Sequence, residues 1–146
     1  IADLVDNSIS AGAGNIWIDL QWRGDRSRIC IRDDGQGMAE AELVDAMRPG
    51  SKNPLEERAD NDLGRFGLGL KTASFSQCRS LTVASKQKGN DVFVRRWDLD
   101  YISTTNDWRL LRTGSSESEE YTKFLDNMKN GTVVLLDQLD ETKPFS

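Results

Sequence analysis

Two glycine-rich turns constrain this chain more than any other feature. The first is Asp33-Asp34-Gly35-Gln36-Gly37-Met38, and the second is Gly64-Arg65-Phe66-Gly67-Leu68-Gly69. Each opens onto a helical pattern. Leu43, Val44 and Met47 make the apolar stripe of a short helix over residues 39–47, and a second helix is expected from the second turn to about Gln77. Glycines let a backbone approach a ligand closely, and the free N–H groups at the start of a helix form an anion site. Neither turn is an EF-hand, a dinucleotide fingerprint or a Walker A loop. With Gly35 as the loop glycine, an EF-hand would have Cys30 as its first ligand. Glu40 stands where a dinucleotide fingerprint needs its third glycine, and Thr72 does the same for the second turn. Leu70 separates Gly69 from Lys71, whereas a Walker A loop needs glycine and lysine contiguous.

The rest of the chain alternates helices with paired strands. Residues 1–11 read as a helix, with Ile1, Leu4, Val5, Ser8 and Ile9 on one side and Asp3, Asn7 and Ser10 on the other. Gly12 and Gly14 stop it. Ile16, Ile18 and Leu20 alternate with Trp17 and Asp19, which predicts a strand; residues 24–26 turn, and residues 28–32 form its hairpin partner, with Ile29 and Ile31 on one face. Residues 49–61 are polar, contain both Pro and Gly, and have little periodicity. A loop of that length inside a compact domain is usually functional or mobile. Strands are expected over 81–84 and 92–97 around a turn at 88–90. An acidic loop at 115–120, a helix over 121–128 stopped near Asn130-Gly131, and an apolar strand over 132–136 complete the pattern. This pattern predicts an α/β sandwich with a mixed or mostly antiparallel sheet.

Composition narrows the chemistry. With 146 residues the chain supports one domain. It begins at Ile1 inside a helical pattern, so a fragment of a longer chain is expected. No apolar run approaches the roughly 20 residues that cross a bilayer, and no signal peptide is visible. There is no histidine, so histidine acid–base chemistry is excluded, and two cysteines alone do not make a Zn²⁺ site. Cys30 and Cys78 read as small core residues. A general base must come from the 24 carboxylates. The net charge of −5 argues against broad nucleic-acid binding. It leaves room for a nucleotide, whose phosphates can be held by backbone N–H groups and a metal ion.

Each motif alone has an ordinary reading: a turn, a carboxylate accepting turn N–H bonds, the solvent face of a helix. Their order resembles the GHKL superfamily, which includes gyrase B subunits, MutL-type mismatch-repair proteins, large heat-shock chaperones and sensor histidine kinases. Asp3-Leu4-Val5-Asp6-Asn7-Ser8-Ile9-Ser10-Ala11-Gly12-Ala13 resembles its N-box. Asp33 to Met38 resembles its adenine-binding box, Gly64 to Gly69 its second glycine box, and Gly131-Thr132 its final Gly-Thr element. The second box, followed by Lys71-Thr72-Ala73-Ser74, is more similar to MORC-like and related bacterial ATP-binding proteins than to gyrase. The resemblance spans essentially the whole chain, residues 1–146, as a single ATP-binding domain. It implies a Bergerat fold: a two-layer α/β (α+β) sandwich with a mixed, mostly antiparallel sheet covered on one face by helices.

The resemblance also implies roles. Asn7 would hold Mg²⁺, and an amide oxygen is a suitable hard ligand. Asp33 would accept from the adenine amino group, with Thr132 supporting that contact through water and Met38 lining the base pocket near Gly35 and Gly37. The backbone of Gly64, Arg65, Phe66, Gly67, Leu68 and Gly69 would cradle the phosphates of ATP or ADP. Residues 49–63 would close as a lid, and Lys52 and Lys71 could reach phosphates. Asp3 holds the position of the general base, where ATP-hydrolysing branches usually carry Glu. Its side chain is one methylene shorter, and a base misplaced by about 1 Å can cost roughly 100-fold in rate. Ser10 likewise replaces an acidic residue usual in MutL-like proteins. The implied function is a cytoplasmic, Mg²⁺-dependent ATPase that hydrolyses slowly and couples lid closure to a conformational change or nucleotide-dependent homodimerisation. A histidine-kinase catalytic domain and a non-catalytic ATP-sensing module are the alternatives.

Overall fold

The computed structural model describes residues 2–22, 27–47, 78–106, 109–113 and 119–139, without the side chains of residues 2–4, 7, 138 and 139. The second glycine turn at 64–69, the helix expected after it, the segment 49–63, Lys52 and Lys71 lie outside these residues.

Among the described residues five strands form one sheet: β1 (Ile16–Gln21), β2 (Arg28–Asp33), β3 (Cys78–Lys86), β4 (Val92–Asp98) and β5 (Gly131–Leu139). Their order is β1-β2-β5-β3-β4, and every pairing is antiparallel. The last strand therefore sits in the middle, between two hairpins. This explains its composition. A strand covered on both faces reads as a continuous apolar run, and Val133, Val134, Leu135 and Leu136 are all buried.

Alternation sorts the sheet's side chains into two cores. On the first face Ile29, Ile31, Val134, Leu136, Leu81, Val83 and Trp97 pack with Leu43, Ala46 and Met47 of α2 (Glu40–Met47) and Ile102 of α3 (Leu99–Thr105). On the second face Cys30, Val133, Leu135 and Ala84 pack with Tyr121 and Leu125 of α4 (Glu119–Asp126). Fully burying one such side chain is worth about 1.5–3 kcal/mol. Helices are thus gathered on the first face as expected, and α4 is added on the other. Two arginines of β2 help to hold α4: Arg28 lies over the Tyr121 ring and Arg32 over the Phe124 ring, 5.5 and 4.8 Å from the ring centroids. Both cysteines are buried, and burial pushes each thiol up to about 12, so neither is a nucleophile at neutral pH.

β4 fixes both ends of α2. Arg95 donates to Glu40 at the first residue (2.8 Å), and the Trp97 indole N–H donates to the Met47 carbonyl at the last. Helix α3 has no counterpart in the sequence reading. It lacks a repeated apolar stripe and is nucleated locally. The Asp98 carboxylate accepts from the N–H groups of Asp100 and Tyr101 (2.9 and 3.1 Å), and Asn106 closes the other end in a left-handed conformation at φ 53°. Strands β3 and β5 run beyond their expected ends, and α4 begins two residues earlier than expected at Glu119. Among the described residues no helix is long and apolar enough to cross a membrane.

Gly37 is the tightest point of the first glycine turn. Its φ is +74°, and a methyl group added there would overlap the Lys86 carbonyl. Gly89, in the β3–β4 turn, has a similar φ of +79° but open space around it. Gly37→Ala should therefore cost about 2–4 kcal/mol, left-handed strain plus overpacking, and Gly89→Ala only about 1 kcal/mol. Urea denaturation of both variants measures this; equal costs would show that strand β3 does not press on the turn.

Candidate functional site

The sheet register builds one polar row. Ile16 pairs with Asp33, Asp33 with Thr132, Thr132 with Ser85, and Ser85 with Phe93. Paired residues on neighbouring strands point to the same face, so Asp33, Thr132 and Ser85 stand side by side at one end of the first face. The next row inward is Ile31, Val134 and Val83, which belongs to the apolar core. The polar row is itself buried: Asp33 is 4% exposed, Thr132 3% and Ser85 0%.

A buried carboxylate needs donors. Asp33 accepts from the Ser8 hydroxyl at 2.7 Å and from the Gly35 N–H at 2.9 Å. Burial raises its pKa; the Ser8 and Gly35 hydrogen bonds and the Thr132 backbone act in the opposite direction, and the neighbouring Asp34 charge adds to the rise. These causes include no cation. Ser8 comes from α1 (Ala2–Ser10), which ends in a Schellman arrangement: Ala13 N–H donates to Ser8 O, and Gly12 N–H to Ile9 O, with Gly12 at φ +77°.

Asp34 has a different task. Its carboxylate accepts from the N–H groups of Gly14 and Asn15 at 2.8 and 2.9 Å, and from the Asn15 side-chain amide at 2.9 Å. The Asn15 hydrogen bonds lead in holding its pKa below the usual carboxylate range. Gln36 N–H donates to Ala11 O, and Asn130 donates to the carbonyls of Asp34 and Gly35. The first glycine turn is thus tied to the end of α1 on one side and to the start of β5 on the other. Met38 N–H donates to Ser85 Oγ at 2.8 Å, and the Met38 side chain is buried in the first-face core.

The structure brings together Asp33, Gly35, Gly37, Met38 and Thr132. Asp3 and Asn7 lie one turn apart on α1, the helix that supplies Ser8. Gly64, Arg65, Phe66, Gly67, Leu68, Gly69, Lys52 and Lys71 fall outside the described residues. Three contributors had gone unassigned: Ser8, Ser85 and Asn130. Ser8 carried a signal, because it is the one polar residue on the apolar side of α1. Ser85 and Asn130 carried none, since their roles depend on strand register. Chemically, the row offers a buried acceptor (Asp33) beside a hydroxyl pair (Thr132 and Ser85), next to an apolar wall. That combination suits a flat heterocycle with an amino group on its edge.

The chain is similar in sequence to known proteins. A sequence model of the family described as histidine kinase-, DNA gyrase B- and HSP90-like ATPase matches residues 1–132. The chain is 35% identical over 89 residues to ATPase morc-1 of Caenorhabditis elegans, covering 61% of this chain and 10% of that protein. It is 39% identical over 92 residues to the DNA mismatch repair protein MutL of Pseudoalteromonas translucida, covering 60% and 14%. It is 29% identical over 150 residues to the chaperone protein HtpG of Rickettsia rickettsii, covering 96% and 22%. The chain spans at most 22% of the length of these relatives.

The raised pKa of Asp33 has a thermodynamic consequence. A carboxyl whose pKa is raised on folding holds its proton more readily in the folded chain. Its contribution to stability is fully present below the unfolded value, near 3.8, and is lost as pH rises through the raised folded value. In urea unfolding of the ligand-free protein, wild type should gain stability relative to Asp33→Asn as pH falls through that window. A relative loss over the same window would mean that hydrogen bonding to the carboxylate outweighs its burial.

Proposed function

The chain belongs to the histidine kinase-, DNA gyrase B- and HSP90-like ATPase family, a membership that implies ATP binding, and from it we propose a slow Mg²⁺-dependent ATPase whose base pocket is the Asp33 row. The observation that carries the proposal is the state of the Asp33 carboxylate. An ionised carboxylate accepts at roughly four positions. The Ser8 hydroxyl and the Gly35 N–H engage two of them. What remains suits a neutral N–H donor such as the 6-amino group of adenine. Met38 and the core behind it give the ring an apolar surface, and the Thr132 hydroxyl lies beside the acceptor.

The rest of the machinery is assigned by resemblance. Asn7 would hold Mg²⁺, which supplies positive charge against the phosphate oxygens. The backbone of residues 64–69 would cradle the phosphates, with Lys52 and Lys71 within reach of them and residues 49–63 closing over the nucleotide. Asp3, one helical turn before Asn7, would polarise the attacking water. Relatives named for ATPase, mismatch-repair and chaperone roles favour hydrolysis over transfer to a histidine, and the chain itself contains no histidine. Coupling of closure to a conformational change or to homodimerisation, and a cytoplasmic setting, belong to the same proposal for the whole protein.

Two variants test it. A hydrogen bond to a charged group is worth about 1.5–3 kcal/mol, so Asp33→Asn should weaken ATP by roughly 10- to 100-fold in titration calorimetry. Unchanged affinity in a folded variant would remove Asp33 from the base pocket. Asp3→Asn in the full-length protein should lower turnover by about 100-fold or more while ATP affinity stays within about threefold, because a base acts in the transition state. Asp3→Glu, which restores the usual family residue, should raise kcat. Turnover of Asp3→Asn at the wild-type rate would send the search for the base to another carboxylate.

A further inference from the structure

Asn130 stands in the link between α4 and β5 and reaches back 96 residues to the first glycine turn. Its side-chain nitrogen donates to two carbonyls, Asp34 O at 3.0 Å and Gly35 O. An amide nitrogen carries two N–H groups, so both are used. An amide oxygen in the same place would face two carbonyl oxygens, which fixes the orientation of the group. The two carbonyls belong to consecutive peptide groups. The first joins Asp34 to Gly35, and its N–H donates to the Asp33 carboxylate at 2.9 Å. The second joins Gly35 to Gln36, and its N–H donates to Ala11 O, just after α1, at 2.9 Å. Asn130 thus grips the carbonyl ends of two peptide groups whose N–H ends hold Asp33 and the chain leaving α1. Rotating either peptide would turn a carbonyl oxygen toward the Asp33 carboxylate or toward the Ala11 carbonyl.

Asn130 is itself held from both sides. Before it, Lys86 Nζ donates to the carbonyls of Leu125 and Met128 at 3.3 and 2.9 Å. After it, Gly131 pairs with Lys86 in the sheet and lies so close to β2 that an added methyl group would overlap the Asp33 carbonyl. A donor mounted this firmly imposes its geometry on the turn. We propose that Asn130 is a positioning residue for nucleotide binding, which locks the peptide groups between Asp34 and Gln36 and so holds the glycine turn in the orientation that binds the base. This rests on the reading of Asp33 as the base acceptor and adds to it a residue from the α4–β5 link that touches no part of the ligand. Removing the amide leaves two carbonyls without their donor and releases the peptide whose N–H holds Asp33. A carboxylate of the same shape does more harm, because it sets a negative charge against both carbonyl oxygens.

The test compares wild type with Asn130→Ala and Asn130→Asp in the full-length protein. In titration calorimetry Asn130→Ala should weaken adenosine and ATP alike by roughly tenfold, and Asn130→Asp by more. Equal losses for the two ligands place the defect at the base and not at the phosphates. In the ligand-free protein, hydrogen exchange at the Gly35 and Gln36 amides should speed up at least about tenfold in both variants, while the amides of Val133 to Leu136 keep their wild-type rates. A merely structural role would give the opposite pattern: exchange faster throughout β5 and adenosine affinity of the folded protein unchanged. That pattern, or wild-type adenosine affinity in a folded Asn130→Asp protein, would overturn the inference and leave the base pocket in place. If Asn130→Asp does not fold, Asn130→Ala, which adds no charge, carries the comparison. Equal ATP affinity of wild type and Asp33→Asn would instead overturn the base-pocket reading, and this inference with it.

Discussion

A charged group buried at the end of a sheet has to be answered by donors, and the hydrogen bonds around Asp33 organise this structure. Desolvation raises its pKa, and the opposing hydrogen bonds come from separate parts of the chain, Ser8 on α1 and Gly35 in the following turn, while Thr132 of β5 pairs with it across the sheet. Each donor requires a piece of architecture. The Ser8 bond requires α1 to lie across the sheet's end. The Gly35 bond requires the chain to turn directly after β2. The Thr132 contact requires the last strand to be inserted beside the second. A protein that needed only stability would place an apolar side chain here, because burying a charge costs more than it returns unless the pairing is complete. An acceptor retained at this place is what the proposed base recognition requires.

The surrounding hydrogen bonds keep that acceptor rigid. Asp34 uses its carboxylate on Gly14 and Asn15, and Asn130 holds the carbonyls of Asp34 and Gly35. Lys86, next to Ser85, donates to the Leu125 and Met128 carbonyls at the end of α4 (3.3 and 2.9 Å). The helix on the second face is thereby anchored to the strand that carries Ser85 on the first. Consecutive residues of β3 thus face opposite ways, Ser85 toward Thr132 and Lys86 toward the helix behind the sheet. Placing a ligand's recognition groups on paired strands holds them more closely than a loop would.

Much of this was legible in the chain, for reasons that differ between elements. Ile29 and Ile31 alternate because β2 turns both to the first-face core, whereas Ile18 and Leu20 alternate on β1 although both are exposed. Val133 to Leu136 reads as apolar because β5 is covered on both sides, and the run announces a central strand without saying which neighbours it has. Asp33 and Gly37 stood out because few residue types meet the demands of that turn. The remainder depends on distant pairing. Ser85 is 47 residues from Met38 and from Thr132 in sequence, and nothing local distinguishes it from any strand serine. Asn130 reaches back 96 residues to Asp34. Helix α3 was missed because one capping aspartate and one buried isoleucine hold it, too few positions for a period to show.

The central claim is that a purine base sits against the row formed by Asp33, Thr132 and Ser85. The most direct measurement is a titration of the ¹⁵N-labelled protein with adenosine, which carries the base but no phosphates, followed through its backbone amide signals. The account predicts saturable shifts concentrated at Gly35, Met38 and Thr132, with the amides of α4 unmoved. Saturable shifts elsewhere, with those three signals unchanged, would contradict it.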